Sequence, residues 1–333
     1  MRTLARLMFV MMLLAFTFAG RARAGYDPML LAKEKPEQKE LVVKDEKRSR
    51  DLPIRVYLPA GKAPAPVILF SHGLGGTRAT NEYLADHWAQ RGYVAVFLQH
   101  PGSDDSLWKD KPMAVRLLAM QQAVVGKDLL ENFELRAQDV HVVIDQLERW
   151  NTSAGNDLSG RMDLAHIGMS GHSFGAATAQ AVSGETFTLA KSFTDPRIKA
   201  AVMMSPNAPR VGTPEKAFSD VKIPWMLMTG TKDDAPKILG LNVDAKTRLV
   251  VFPALPPGGK YELVLNNAEH SAFGEHEIPG EVDKHNPNHH RAILALTTAF
   301  WDAYLRQDAD AKAWLDSEAV GTVLEKEDHW QKK

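Results

Sequence analysis

The chain has 333 residues, of which 44% are hydrophobic and 24% charged, and its formal net charge is −1. That balance suits a folded protein with a central sheet and lacks the basic excess of a nucleic-acid binder. Cysteine is absent, which excludes disulfide frameworks, thiolate nucleophiles and cysteine-ligated zinc.

The first 24 residues read as a targeting segment. Arg2 and Arg6 form a positive start, residues 7–19 an apolar run too short to span a bilayer, and Ala22-Arg23-Ala24 a small-residue cleavage site. The expectation is an exported protein, periplasmic or secreted, whose mature chain starts at Gly25 without stable membrane insertion. An uncleaved anchor is the competing reading. Cleavage would remove four arginines (Arg2, Arg6, Arg21, Arg23) and no acid, taking the net charge from −1 to −5.

Residues 25–50 are a polar lead-in with one strand-like stretch, Leu41-Val42-Val43. Residues 53–59 alternate apolar and polar with period two, as in a half-buried antiparallel strand. After a turn at 61–66, residues 67–70 form a continuous apolar run, the pattern of a strand covered on both faces. From there strands and helices alternate: a helix over 81–91 closed by Gly92, strand 93–98, helix 131–150, strands 167–170, 198–204, 225–228 and 261–265, and helix 289–305. The alternation predicts an α/β fold, a mainly parallel central sheet with helices on both faces, in one domain over 25–333 with its core at about 50–305. Two stretches fall outside it. Residues 102–127, with Trp108, Met113, Leu117, Leu118 and Met120, read equally as an ordinary wrap helix or as a cap over a site. Residues 235–247 read as a surface excursion.

The densest signal follows strand 167–170. Gly171-His172-Ser173-Phe174-Gly175 matches G-x-S-x-G and runs directly into a small-residue helix, Ala176 onward. Such a strand-to-helix corner lifts the central serine above the sheet and places it at a helix N-terminus, where unpaired N–H groups favour developing negative charge. Ser173 is therefore the candidate nucleophile. His172 is expected to point away from the nucleophile's side and to serve packing.

Ligands of open α/β sheets bind beyond the carboxyl ends of the strands. Strand 67–70 ends in Ser71-His72-Gly73-Leu74-Gly75-Gly76, and the N–H groups of Leu74 and Phe174 are expected to form an oxyanion hole. Strand 225–228 ends in Thr229-Gly230-Thr231-Lys232-Asp233-Asp234, which offers Asp233 or Asp234 as the acid. Strand 261–265 leads to His270, the candidate base. The order Ser, acid, His is that of a hydrolytic triad on such a sheet. His72, His100 and Trp108 are candidates to line the substrate pocket. His285, His289 and His290 resemble a metal cluster, but Pro287 interrupts them and no carboxylate stands at ligand spacing, so neither metal nor cofactor is expected. His276 has no supporting pattern.

With these residues in place, the chain resembles a secreted serine esterase of the α/β-hydrolase superfamily, in the dienelactone-hydrolase-like group that includes platelet-activating-factor acetylhydrolases. The resemblance rests on Ser71 to Gly76, Gly171 to Thr178, Thr229 to Asp233, Ala268-Glu269-His270 and Thr298 to Leu305. It implies Asp233 rather than Asp234 as the acid, since in that family the acid commonly follows a glycine by three positions. It also implies hydrolysis of a small-molecule or lipid-like ester through an acyl-enzyme. Dienelactone hydrolases themselves use a cysteine nucleophile, which this chain lacks, so dienelactones are not the expected substrate. Lipase or polyester hydrolase activity and acyl transfer are alternatives on the same triad. A non-catalytic binding module is the alternative of another class.

Overall fold

The computed structural model describes residues 25–123, 125–187, 192–236, 243–275, 281 and 286–333. The expected targeting segment, His276 and His285 lie outside the described residues. Six parallel strands form the centre: β3 (Ala65–Ser71), β4 (Val94–Leu98), β5 (Met162–His172), β6 (Ile198–Met204), β7 (Trp225–Lys232) and β8 (Lys260–Glu269). Antiparallel strands close both edges, β1 (Glu37–Asp45) and β2 (Arg50–Leu58) beside β4, and β9 (His329–Lys332) beside β8. The order is β1-β2-β4-β3-β5-β6-β7-β8-β9. It reverses at β3, with β4 on one side and β5 on the other, and at such a switch point the loops leaving neighbouring strands part to open a crevice.

The helices are α1 (Glu82–Arg91), α2 (Met113–Ala123), α3 (Gly126–Thr152), α4 (Phe174–Ser183), α5 (Pro214–Phe218), α6 (Ala245–Arg248), α7 (Val251–Ala254), α8 (Pro287–Leu305) and α9 (Ala309–Leu315). One face of the sheet packs against α1, α8 and α9 through Trp88, Phe300, Trp301 and Trp314. The other packs against α3 and α4 through Val140, Val143, Ile144, Leu147 and Val182. The runs that fill the central strands are apolar because both their faces are covered: all five residues of β4 are buried. Each fully buried Leu, Ile or Val of α3 stabilises the fold by roughly 1.5–3 kcal/mol.

The result is a single α/β domain with a mainly parallel sheet. Its elements extend past the expected core at both ends. Trp314, Leu315, Val320 and Val323 join the core beneath β8, and β9 pairs with β8 from Tyr261↔Lys332 to Val264↔His329. Residues 102–127 contain a single 3-10 turn at Asp105–Leu107 and then α2, which packs on α3. Among the described residues no helix is long and apolar enough to cross a membrane.

Candidate active site

β5 passes into α4 through one residue, Ser173, at φ 58° and ψ −114°. A non-glycine residue held there costs about 1–3 kcal/mol. The corner is fixed from several sides: the Ser173 N–H donates to the Met204 carbonyl (2.9 Å), and Asn207 Nδ2 donates to the Ser173 carbonyl (3.0 Å). The flanking glycines are obligatory, because a Cβ on Gly171 would lie 2.2 Å from the Gly175 carbonyl oxygen and one on Gly175 only 1.8 Å from that of Ser71.

The ends of β5, β7 and β8 deliver three side chains to one line. Ser173 Oγ lies 2.9 Å from His270 Nε2, and His270 Nδ1 lies 2.6 Å from Asp233 Oδ1. With the carboxylate accepting from Nδ1–H, Nε2 is left to accept from the serine hydroxyl. Asp233 is fully buried, and its second oxygen accepts from Thr229 Oγ1 at 2.8 Å. Asp234 is exposed and its Oδ1 accepts from the Ala245 N–H at 2.9 Å, tying the loop to α6. Asp233 thus meets His270, and Asp234 does not.

Arg248, at the end of α6, is a member of the site that the sequence reading left out. Its Nε donates to the Asp233 carbonyl (2.7 Å) and lies 3.1 Å from Asp233 Oδ1, while Nη1 donates to the Ser205 carbonyl (2.9 Å). Burial pushes the Asp233 carboxyl up, but Arg248 and His270 beside it outweigh burial and hold it below its ordinary value. Arg248 follows the stretch read as a surface excursion, and a lone basic residue in a polar segment gives no periodic signal.

The loop after β3 lies against Ser173: a Cβ on Gly73 would sit 3.5 Å from Ser173 Cβ. Among the described residues, the N–H groups of Leu74 and Phe174 have no acceptor. The loop is strapped from outside by Trp108, whose Nε1 donates to the Gly75 carbonyl (2.7 Å), and by the Gly75 N–H, which donates to the Ser103 carbonyl (2.9 Å). Next to it Leu74, Phe133, Phe174, Ala177, Phe187 and Phe193 make an apolar wall.

Three histidines occupy positions other than those expected. His72 and His100 are fully buried beneath the loop instead of lining an open pocket, because hydrogen bonds hold them inward. The His100 N–H donates to His72 Nε2 (3.1 Å), and His72 Nδ1 donates to the Gly73 carbonyl (2.6 Å). His100 in turn accepts from Ser71 Oγ at Nε2 (2.9 Å) and donates from Nδ1 to Asp139 Oδ2 (2.9 Å). His172 serves packing, as expected, but it does not point away from the candidate nucleophile's side: its ring stands 4.6 Å from the His270 ring, centroid to centroid, and 6.1 Å from that of Phe273. The one-turn helix His270–Phe273 packs against α8, β7 and β8, and its His270 and Phe273 rings face His172 at the end of β5. Burial, then the neighbouring His270, drives the His172 ring well below its ordinary pKa and keeps it neutral. His289 and His290 each meet a backbone carbonyl, of Asn266 (3.0 Å) and Gly274 (2.9 Å).

No protein-family model and no curated protein matches the chain. It is an α/β protein with one mainly parallel nine-stranded sheet, at whose carboxyl ends a serine, a histidine and an aspartate stand in hydrogen-bonding line.

Proposed function

We propose that the protein is a serine carboxylic-ester hydrolase of the α/β-hydrolase type, exported from the cytoplasm. The observation that carries this reading is the alignment of Ser173 Oγ, His270 Nε2 and Asp233 Oδ1 beside two backbone N–H groups that have no partner among the described residues. His270 takes the hydroxyl proton as Ser173 Oγ bonds to the ester carbonyl carbon, and the carbonyl electrons move onto oxygen. Leu74 and Phe174 N–H groups stabilise that oxyanion, each worth roughly 2.7–4 kcal/mol. Collapse expels the alcohol, which takes the proton from His270. Water then repeats the sequence on the acyl-enzyme and releases the acid. Asp233 holds the imidazole in the required tautomer and stabilises its protonated form.

The apolar wall of Leu74, Phe133, Phe174 and Phe187 supports a small or medium acyl group. The test is a series of p-nitrophenyl esters from acetyl to long acyl. A burst of nitrophenol and stoichiometric organophosphate labelling of Ser173 alone are expected. Labelling at another residue, or no burst with any ester, would leave a non-catalytic binding module as the better reading.

A further inference from the structure

Behind the oxyanion loop lies a buried cation. Arg136, on α3, has no exposed surface. Its Nη2 donates to the His72 carbonyl (2.7 Å) and lies 3.0 Å from His72 Nδ1. On its other side the guanidinium carbon stands 4.5 Å from the centroid of the Phe174 ring. Among the described residues, Nε and Nη1 have no hydrogen-bond partner and no carboxylate forms an ion pair with this side chain. The nearest compensation is from Asp139 and Asp104 at longer range. Asp139 is itself engaged by Arg48, Arg50 and His100, at 2.9, 3.0 and 2.9 Å. Burial brings the guanidinium down to about 9, so at neutral pH it still carries its charge.

A buried, incompletely paired cation is costly and is kept only where the surrounding structure holds it. Here it touches both segments that present the candidate oxyanion donors. One contact is to His72, two residues before Leu74; the other is to the side chain of Phe174 itself. His72 passes the constraint on, since its Nδ1 donates to the Gly73 carbonyl, the peptide preceding Leu74. The planar guanidinium suits both contacts, an in-plane donor to a carbonyl and a face against an aromatic ring. A lysine ammonium would satisfy at most one.

We propose that Arg136 is the positioning residue of the oxyanion site: one guanidinium, gripping the loop after β3 and the start of α4, makes the Leu74 and Phe174 N–H groups converge and adds positive potential behind them. This rests on the esterase reading above. Arg136 touches no reacting atom. It acts through the two donors and through the field it adds in a water-poor interior, where charge is weakly screened. Its contribution is therefore specific to the charged tetrahedral species, and ground-state ester binding does not depend on it.

The experiment compares Arg136→Met, Arg136→Lys and Phe174→Leu with the wild-type chain. Each is measured for kcat, KM and inhibition by an alkyl trifluoromethyl ketone, whose hemiketal with Ser173 bears the oxyanion. Arg136→Met should lower kcat by on the order of 10²-fold, leave KM within about threefold and weaken the ketone by the same factor as kcat. Arg136→Lys should restore part of the loss by returning the charge without the fork. Phe174→Leu keeps every hydrogen bond of Arg136, so it reports even where Arg136→Met does not fold; kcat and ketone affinity should fall by the same factor, while any change in KM there reports the apolar wall to which Phe174 also belongs. Folded variants with wild-type kcat, or with kcat and KM altered but ketone affinity intact, overturn the positioning role while leaving the esterase reading standing. A wild-type protein that turns over no ester, with Ser173 unlabelled, overturns both.

Discussion

Two Ser–His–Asp chains run through this molecule with nearly the same geometry. Ser173–His270–Asp233 has spacings of 2.9 and 2.6 Å; Ser71–His100–Asp139 has 2.9 and 2.9 Å. Hydrogen-bond distances therefore do not separate a candidate catalytic serine from a structural one. Position does. Ser71 is fully buried inside β3, paired on both sides with Leu98 and Gly171, and no strained corner lifts its hydroxyl out of the sheet. Ser173 is only half-buried, stands at a left-handed corner and, among the described residues, has unpartnered N–H groups next to it. Ser173 keeps exposed surface and Ser71 has none.

The sharpest way to break the comparison is to remove each hydroxyl. Ser173→Ala should cost on the order of 10⁶-fold in kcat. Ser71→Ala should keep ester turnover and lose stability, about 1–3 kcal/mol, because His100 Nε2 is left buried without a partner. Parallel ester assays and thermal melts read both; loss of turnover in Ser71→Ala with an unchanged melt would mean that the inner chain takes part in the reaction.

The two acids give the next contrast. Asp233→Asn favours the wrong imidazole tautomer and should lower kcat by on the order of 10⁴-fold. It also strips the buried Arg248 of its counter-charge, so the melting temperature should fall too. Asp139→Asn should destabilise by about 3–5 kcal/mol through Arg48, Arg50 and His100 while leaving far more turnover than Asp233→Asn. Asp234→Asn should keep most activity, since an amide oxygen still accepts from Ala245. Equal kcat losses at positions 233 and 234 would contradict the assignment of the acid.

Acid titration is expected to separate the chains by the smallest margin. Burial, and then Arg136, lowers His100 to about 4. Its unfolded value is near 6.5, so the unfolded state takes the proton first, and stability present above pH 6.5 is lost as pH falls towards 4. For His100 alone that amounts to roughly 3 kcal/mol at pH 4. Asp139 and Asp233 are both held below the usual carboxylate value against the opposing effect of burial, so their contribution persists to lower pH and disappears below about 4. A calorimetric melt series from pH 7 to 4 should show a falling melting temperature that begins near 6.5 and is flatter in His100→Gln. A profile flat to pH 4.5 would show that His100 is already protonated in the fold.

The parallel sheet was legible because its strands are covered on both faces and so read as unbroken apolar runs, as at 67–70 and 93–98. The corner at Ser173 was legible because its two glycines answer a steric demand that no other residue meets. β9 was not: His329-Trp330-Gln331-Lys332 is short, mostly polar and has no period, and it becomes a strand only because β8 offers it an edge. Arg248 was invisible for a related reason, since only the fold brings α6 beneath the end of β7. Arg136 and Asp139 did leave a trace. They fall on the same helical stripe as Val140, Val143 and Leu147, where two charges among buried apolar positions mark an internal polar network. The apolar periodicity of α3 alone does not register them.

The left-handed corner at Ser173 also sets selection for folding against selection for chemistry. Glycine would occupy φ 58° without the strain that serine bears there, so a library sorted only for heat resistance should enrich Ser173→Gly and return well-folded proteins that have lost the proposed nucleophile. Stabilising this scaffold by directed evolution therefore requires turnover in the screen, since at this strained corner the most comfortable residue is an inert one.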